Sequence, residues 1–209
     1  MILDNIDKIK ALLKFPDGGF YFIQVIQRKK ENPDLPTTDM KRYQCFITSL
    51  KDLDIHLPRI KKVCEDYNAR AYISILPRSL EKLAKQCLLE YAQRVNNQIY
   101  NRCWDIPSRC ALMDEIRYSD KKSKPFRMFD VDKKEDVDTI IEYVKGVGIK
   151  VIETIPTLNG AHVIVEVFNP RLLDSLQTKQ EDYILPGGES FTFRPDCNTI
   201  LYASTGKSL

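Results

Sequence analysis

The chain has 209 residues, 43% hydrophobic and 29% charged, with 32 Lys and Arg against 29 Asp and Glu for a net charge of +3. That length supports one substantial core or two small lobes packed on each other, and the composition is that of a soluble globular protein rather than a disordered one. The small net charge excludes nucleic-acid binding through bulk charge alone, so any such binding must come from a local patch.

No stretch approaches the ~18 apolar residues that cross a bilayer, so no membrane partner is expected. The six cysteines, Cys45, Cys64, Cys87, Cys103, Cys110 and Cys197, contain no CxxC pair and follow no secretory signal, which predicts a reducing, cytoplasmic setting. Cys103 and Cys110 flank Trp104 but lack the four closely spaced ligands of a structural zinc site.

In chain order, Ile2, Ile6, Ile9 and Leu13 recur at helical spacing among charged residues and predict an amphipathic helix docked on the protein. Gly18-Gly19 ends it. Residues 20–26 and 42–48 are rich in aromatic and β-branched side chains and predict two strands that pair across a loop containing Pro33 and Pro36. Residues 53–67 predict a helix, with Pro58 tolerable only in its first turn. A strand over 69–75 follows, and Ser79 caps a long helix to about residue 102, with Glu81 to Lys85 and Glu90 to Arg94 as i,i+4 pairs. The aromatic run Phe20-Tyr-Phe22 and Tyr72 could stack bases, but burial in the core is the commoner fate of such residues.

Residues 104–125 are patternless and end in the basic run Lys121-Lys-Ser-Lys124, read as a connection between lobes, either a solvated loop or a phosphate contact. Beyond it the pattern predicts strand (127–131), helix (135–145), strand (149–155), a hairpin turn at Thr157-Leu-Asn-Gly160, strand (162–168), helix (170–176) and a final strand (199–202). The expected fold class is therefore α+β: an N-terminal α/β lobe (1–103), a connection (104–125), and a C-terminal ferredoxin-like, or RRM-like, β-α-β-β-α-β lobe (126–209).

Asp130 and Asp132 share one face of the first strand of that lobe, because residues i and i+2 of a strand point the same way. Two like charges at that spacing repel unless a cation or basic group compensates. The competing reading has Asp132 cap the next helix, with Asp130 solvated at a strand end. In the expected topology the carboxyl end of this strand lies beside His162 on one side and residues 196–199 on the other. Asp130, Asp132, His162 and Asp196 would then converge, a donor set suited to Mg²⁺ or Mn²⁺ and phosphate.

These residues carry a resemblance. Phe129-Asp-Val-Asp132, Thr157-Leu-Asn-Gly-Ala-His162 and Pro195-Asp-Cys-Asn-Thr-Ile-Leu-Tyr202 resemble the three motifs of the archaeo-eukaryotic primase and primase-polymerase superfamily, with Gly160 where its members often carry Ser. Arg70-Ala-Tyr-Ile-Ser-Ile-Leu-Pro-Arg78 and the helix after it are similar to the N-terminal unit of small phage-type and mobile-element-type members. The resemblance implies a nucleotidyltransferase that adds a nucleotide to a nucleic-acid 3′ end in DNA replication. It implies Asp130, Asp132 and Asp196 as catalytic, metal-holding residues. It also implies His162, Asn159, Gly160, Arg78, Arg194 and Lys124 as contacts to nucleotide phosphate. The implied partners are an NTP or dNTP, a single-stranded or primer-template nucleic acid, and a separate helicase. Thr205-Gly-Lys-Ser208 lacks the upstream glycine and following helix of a phosphate loop. Three other readings stay open: a non-catalytic nucleotide or nucleic-acid binding module, an assembly module, and a metal-dependent phosphodiesterase or nuclease.

Overall fold

Strand-forming runs and amphipathic segments alternate along the chain, and the computed structural model resolves them for residues 2–36, 38–101, 103–118, 126–179, 182–194 and 196–204. The basic run 121–124, Lys124 included, and residues 205–208 lie outside the described residues.

The expected N-terminal helix is split into strand β1 (Ile2–Asp4) and helix α1 (Ile6–Leu12). The break falls at Asn5, which is buried and whose Nδ2 donates to Pro156 O and Ile200 O, both at 2.9 Å. Strands β2 (Gly19–Gln27) and β3 (Met40–Ile47) form the antiparallel pair that their composition predicts. Helix α2 (Leu50–Tyr67) starts three residues before the expected position because Ser49 Oγ accepts from Asp52 N and caps it. Pro58 consequently sits in mid-helix rather than in the first turn. It is tolerated on the exposed face, where the carbonyl that loses its partner meets solvent. On the other face Leu53, Ile60 and Cys64 are fully buried, and burial of Leu53 and of Ile60 contributes about 1.5–3 kcal/mol each. Strand β4 (Arg70–Ser74), the short β5 (Arg78–Ser79) and helix α3 (Leu80–Asn96) follow, with Ser79 Oγ accepting from Lys82 N as the expected cap. Helix α4 (Ile106–Cys110) packs against α3.

The second half opens with β6 (Phe126–Val131), α5 (Val137–Gly146), β7 (Val151–Pro156) and β8 (Ala161–Glu166) in the expected order. The β7–β8 turn is closed by Thr157 N donating to Gly160 O and Gly160 N donating to Thr157 Oγ1, both at 3.0 Å. The helix expected over 170–176 is only a 3₁₀ turn, Pro170–Leu173, because Leu173 is its one buried residue and no apolar stripe exists to hold a longer helix. Three further strands then form, β9 (Gln177–Lys179), β10 (Asp182–Ile184) and β11 (Ser190–Arg194), before β12 (Asn198–Ser204).

The fold is thus mixed α and β, with two antiparallel sheets. One runs β1-β12-β4-β2-β3 with β5 beside β2, and the other β7-β8-β6-β11-β10-β9. The chain's last strand therefore does not close the second sheet, as the sequence pattern suggested. It leaves that sheet after β11 and inserts between β1 and β4 of the first, while β11 takes the place beside β6. The crossing is a tight turn in which Cys197 adopts φ 47°. Residues of both sheets, among them Ile73, Leu201, Met128 and Ile164, consequently share one core.

Candidate functional site

Strand β6 lies between β8 and β11, and the register sets Asp130 opposite His162 on one side and Thr192 on the other, with Arg194 opposite Met128. The intervening residues Phe129, Val131, Val163 and Phe191 pack with Ile140 and Val144 of α5. Period-two alternation thereby sends these side chains to the α5 face of the sheet and Asp130, His162 and Arg194 to the other, which they share with Met128 and Ile164 of the core between the sheets.

The polar end of that face looks onto the first sheet across a cleft of about 670 Å³. Asp130, Asp132, Asp196, His162, Asn159 and Arg194 all line it, so six of the residues singled out from sequence meet in one place. Arg28, Lys30, Glu31, Arg70 and Tyr72 enter from the first sheet and the loop beyond β2. None of the four charged residues among these is a candidate site residue from sequence alone. The alternation Arg70-x-Tyr72-x-Ser74 on β4 was a usable signal that those side chains share a face.

Asp130 is the hub. His162 Nε2 lies 3.3 Å from its Oδ1 and Arg194 Nε 3.5 Å from its Oδ2. Burial pushes the Asp130 carboxyl up, but the hydrogen bond and charge of His162 and the guanidinium of Arg194 outweigh it, so its pKa falls below the ordinary carboxylate value. An ionised carboxylate can only accept, so Nε2–H donates to Asp130, while Nδ1 and the Thr199 hydroxyl share a hydrogen bond at 2.7 Å. His162 is buried, and both of its nitrogens are engaged. Thr199 reaches it from the opposite sheet, a contact invisible without knowing where β12 goes.

Asp132 is exposed just past the end of β6. It is not the cap of the following helix, since the 3₁₀ turn there begins after Lys133 and α5 after Asp136. Asp196 sits on the turn between the sheets, with its carbonyl oxygen accepting from Ser74 Oγ at 2.7 Å. Gly160 is buried against the end of β6: a Cβ there would lie 1.9 Å from Val131 O, so neither Ser nor Ala fits without displacement. Arg78 is buried outside the cleft, its Nη1 donating to Met113 O at 2.9 Å, and lines a smaller adjoining cavity. Burial and the neighbouring Arg117 lower its pKa.

Among the described residues no three His, Cys, Asp or Glu side chains are grouped closely enough to hold a metal by themselves. The donor chemistry would nevertheless fit a hard divalent ion that other ligands help to hold. Mg²⁺ commonly takes one or two carboxylates and completes its shell with water and substrate phosphate, and Asp130 and Asp132 offer such oxygens on one wall. Formal charge in the cleft is balanced, with Arg28, Lys30, Arg70 and Arg194 against Glu31, Asp130, Asp132 and Asp196. Arg70 is held by Glu31 through a two-pronged ion pair. No protein-family model, curated protein or solved structure matches the chain.

Proposed function

We propose that the cleft is a nucleotidyltransferase site of the primase-polymerase type, built on a ferredoxin-like arrangement of β6, α5, β7, β8 and β11. It would transfer a nucleotide to a nucleic-acid 3′ end. The observation that carries this reading is the meeting of Asp130, Asp132, Asp196 and His162, from three distant stretches of sequence, around one cleft. In the reaction the 3′-oxygen attacks the α-phosphorus, the bond from that phosphorus to the bridging oxygen breaks, and pyrophosphate leaves. Such transfer depends mainly on positioning and charge stabilisation.

The residues divide that work. Arg194 and His162 each carry N–H donors at Asp130, over distances long enough (3.5 and 3.3 Å) that exchange for a phosphate oxygen sacrifices little. Their departure would leave Asp130 an uncompensated anion beside Asp132, which favours cation entry together with the polyphosphate. Asp130 and Asp132 would hold a Mg²⁺ or Mn²⁺ ion, which would supply Lewis-acid charge for the 3′-hydroxyl and the leaving group. The balanced charge of the cleft supports the same conclusion, because a bare triphosphate would find no net attraction there.

The test is extension of a labelled primer-template with Mn²⁺ and dNTPs or NTPs. Stepwise lengthening is expected from the wild type, with loss of at least about 100-fold in Asp132→Ala, the scale of removing one electrostatic stabiliser. A shortened primer would instead identify a phosphodiesterase. The occupation of Asp130 by His162 and Arg194 favours one second reading, a nucleotide-binding module without turnover. It would reveal itself as nucleotide binding, with no change in the primer, that Asp132→Ala leaves intact.

A further inference from the structure

Next to the cleft lies a second cavity of about 150 Å³. Tyr72, Asp196 and Asn198 line both spaces, so the two are continuous along one wall. The inner wall of the smaller one is formed by Phe22 and Gln24 of β2, with Arg78 beside them. Gln24 is 7% exposed, and its Nε2 has no hydrogen-bond partner. Its cross-strand neighbour Gln44 does not relieve it, since Gln44 Nε2 is equally unpartnered. A buried amide donor without an acceptor is destabilising, and among folded chains such groups are few and call for an explanation.

We propose that this cavity receives the nucleobase of the nucleotide whose phosphates occupy the main cleft, with Gln24 Nε2 donating to a carbonyl or ring-nitrogen acceptor on the edge of the base. The proposal rests on the nucleotide reading above and deepens it. Three features point to a base rather than another ligand. The orphan group is a neutral donor, which selects for an acceptor. Among the described residues on the walls, Asp114 and Asp196 outnumber the one cation, Arg78, so the net charge there is negative and a second phosphate is disfavoured. Phe22 and Leu112 present apolar surface to a flat, weakly polar ring. The space suits one ring system, while the sugar and phosphates need the larger cleft. The arrangement also assigns Asn198, exposed at the shared wall, to the passage between the two spaces.

The experiment compares Mn²⁺-dependent binding of the four nucleoside triphosphates with that of inorganic tripolyphosphate, in wild type, Gln24→Met and Asn198→Ala, by titration calorimetry. At least one triphosphate should bind more tightly than tripolyphosphate to the wild type. Gln24→Met should reduce that advantage roughly 3- to 10-fold, the value of one hydrogen bond, and leave tripolyphosphate binding unchanged. Asn198→Ala, an exposed change that preserves the fold, should reduce it in the same selective way. The base pocket is overturned if triphosphates bind no better than tripolyphosphate, or if neither variant alters the difference. It is also overturned if Gln24→Met lowers the melting temperature without touching base preference, since Gln24 then serves only a structural water. Tripolyphosphate separates the two claims: its binding with no base preference removes the pocket alone, and failure of every phosphate ligand to bind removes the nucleotide reading with it.

Discussion

His162 Nδ1 and Thr199 Oγ1 lie 2.7 Å apart although the two residues belong to different sheets. The bond ties β8 to β12 and fixes which ring nitrogen faces Asp130. Thr199→Val should therefore leave a buried ring nitrogen without a partner and cost about 1–3 kcal/mol of stability, read from urea denaturation. Thr199→Ser, which keeps the hydroxyl, should recover most of the loss. An unchanged unfolding midpoint in the valine variant would show that the bond is not formed in solution.

His162 and Arg194 give Asp130 a pH-dependent contribution to stability. Its folded pKa lies below the ordinary aspartate value of 3.8, so the folded state holds the ionised form more favourably than the unfolded chain does. The resulting stabilisation is complete above that unfolded value and is lost as pH falls through the folded one. Asp130→Asn should be less stable than wild type by ~1.5–3 kcal/mol at pH 7 in chelator, the scale of a charged hydrogen bond. That difference should shrink steadily below about pH 3.8. A gap that persisted to pH 2 would mean that the carboxylate charge is not what the asparagine removes.

Gly160 is fixed by space rather than by backbone conformation. Its hypothetical Cβ meets Val131 O at 1.9 Å and Asp132 C at 2.8 Å, both backbone atoms that cannot rotate away. Gly160→Ala should cost about 1–3 kcal/mol through overpacking. If the cleft binds nucleotide as proposed, the substitution should also weaken that binding, because the turn it displaces carries Asn159 and sets the register of His162. Chemical denaturation and binding measured on the same sample check both effects.

The sequence made the local features readable where one signal dominated. Asn159-Gly160 marked the β7–β8 turn, Ser79 marked the start of α3, and the Asp-x-Asp pair marked the polar face of β6. Alternation was present in Ser190-Phe-Thr-Phe-Arg194, with Phe191 buried and Arg194 exposed, yet the Gly and Pro around 186–188 and the three-residue neighbours obscured a strand region. What could not be read was the destination of β12. Residues 199–203 are buried throughout, so no polar–apolar alternation tells which sheet they join. The consequences follow from that one ambiguity: the roles of Thr199, Tyr72 and Arg70 become visible only once the last strand lies in the first sheet.

The thiols divide by burial. Cys45, Cys64 and Cys197 are buried, and desolvation pushes their pKa values up to about 12. Cys110 is buried and shifted the same way, by desolvation and by the neighbouring Cys87. Since only the thiolate reacts, native labelling at pH 8 should modify the partly exposed Cys87 and Cys103 first. The other four should react only at the rate of unfolding, as mass spectrometry of a time course would show. Rapid labelling of Cys197 would mean that the turn joining the sheets opens locally.

Asn5 also links the two sheets. Its Nδ2 serves Ile200 O, next to the irregularity between Ile200 and Tyr202 where the register of β12 on β4 shifts, and Pro156 O at the edge of the other sheet. One amide nitrogen has two hydrogens, so both carbonyls are satisfied by a single side chain, and no other residue type of that size supplies two donors from one atom. Asn5→Ala would strip both acceptors of their donor at a site only 2% exposed, and should cost about 1–3 kcal/mol or more. Asn5→Asp should be worse, because it points an anion at two carbonyl oxygens. The cleft lies between the sheets that Asn5 joins, so amide hydrogen exchange should quicken in β7 and β12 together in Asn5→Ala. Acceleration confined to β1 and α1 would show that the sheets are held by their shared core alone.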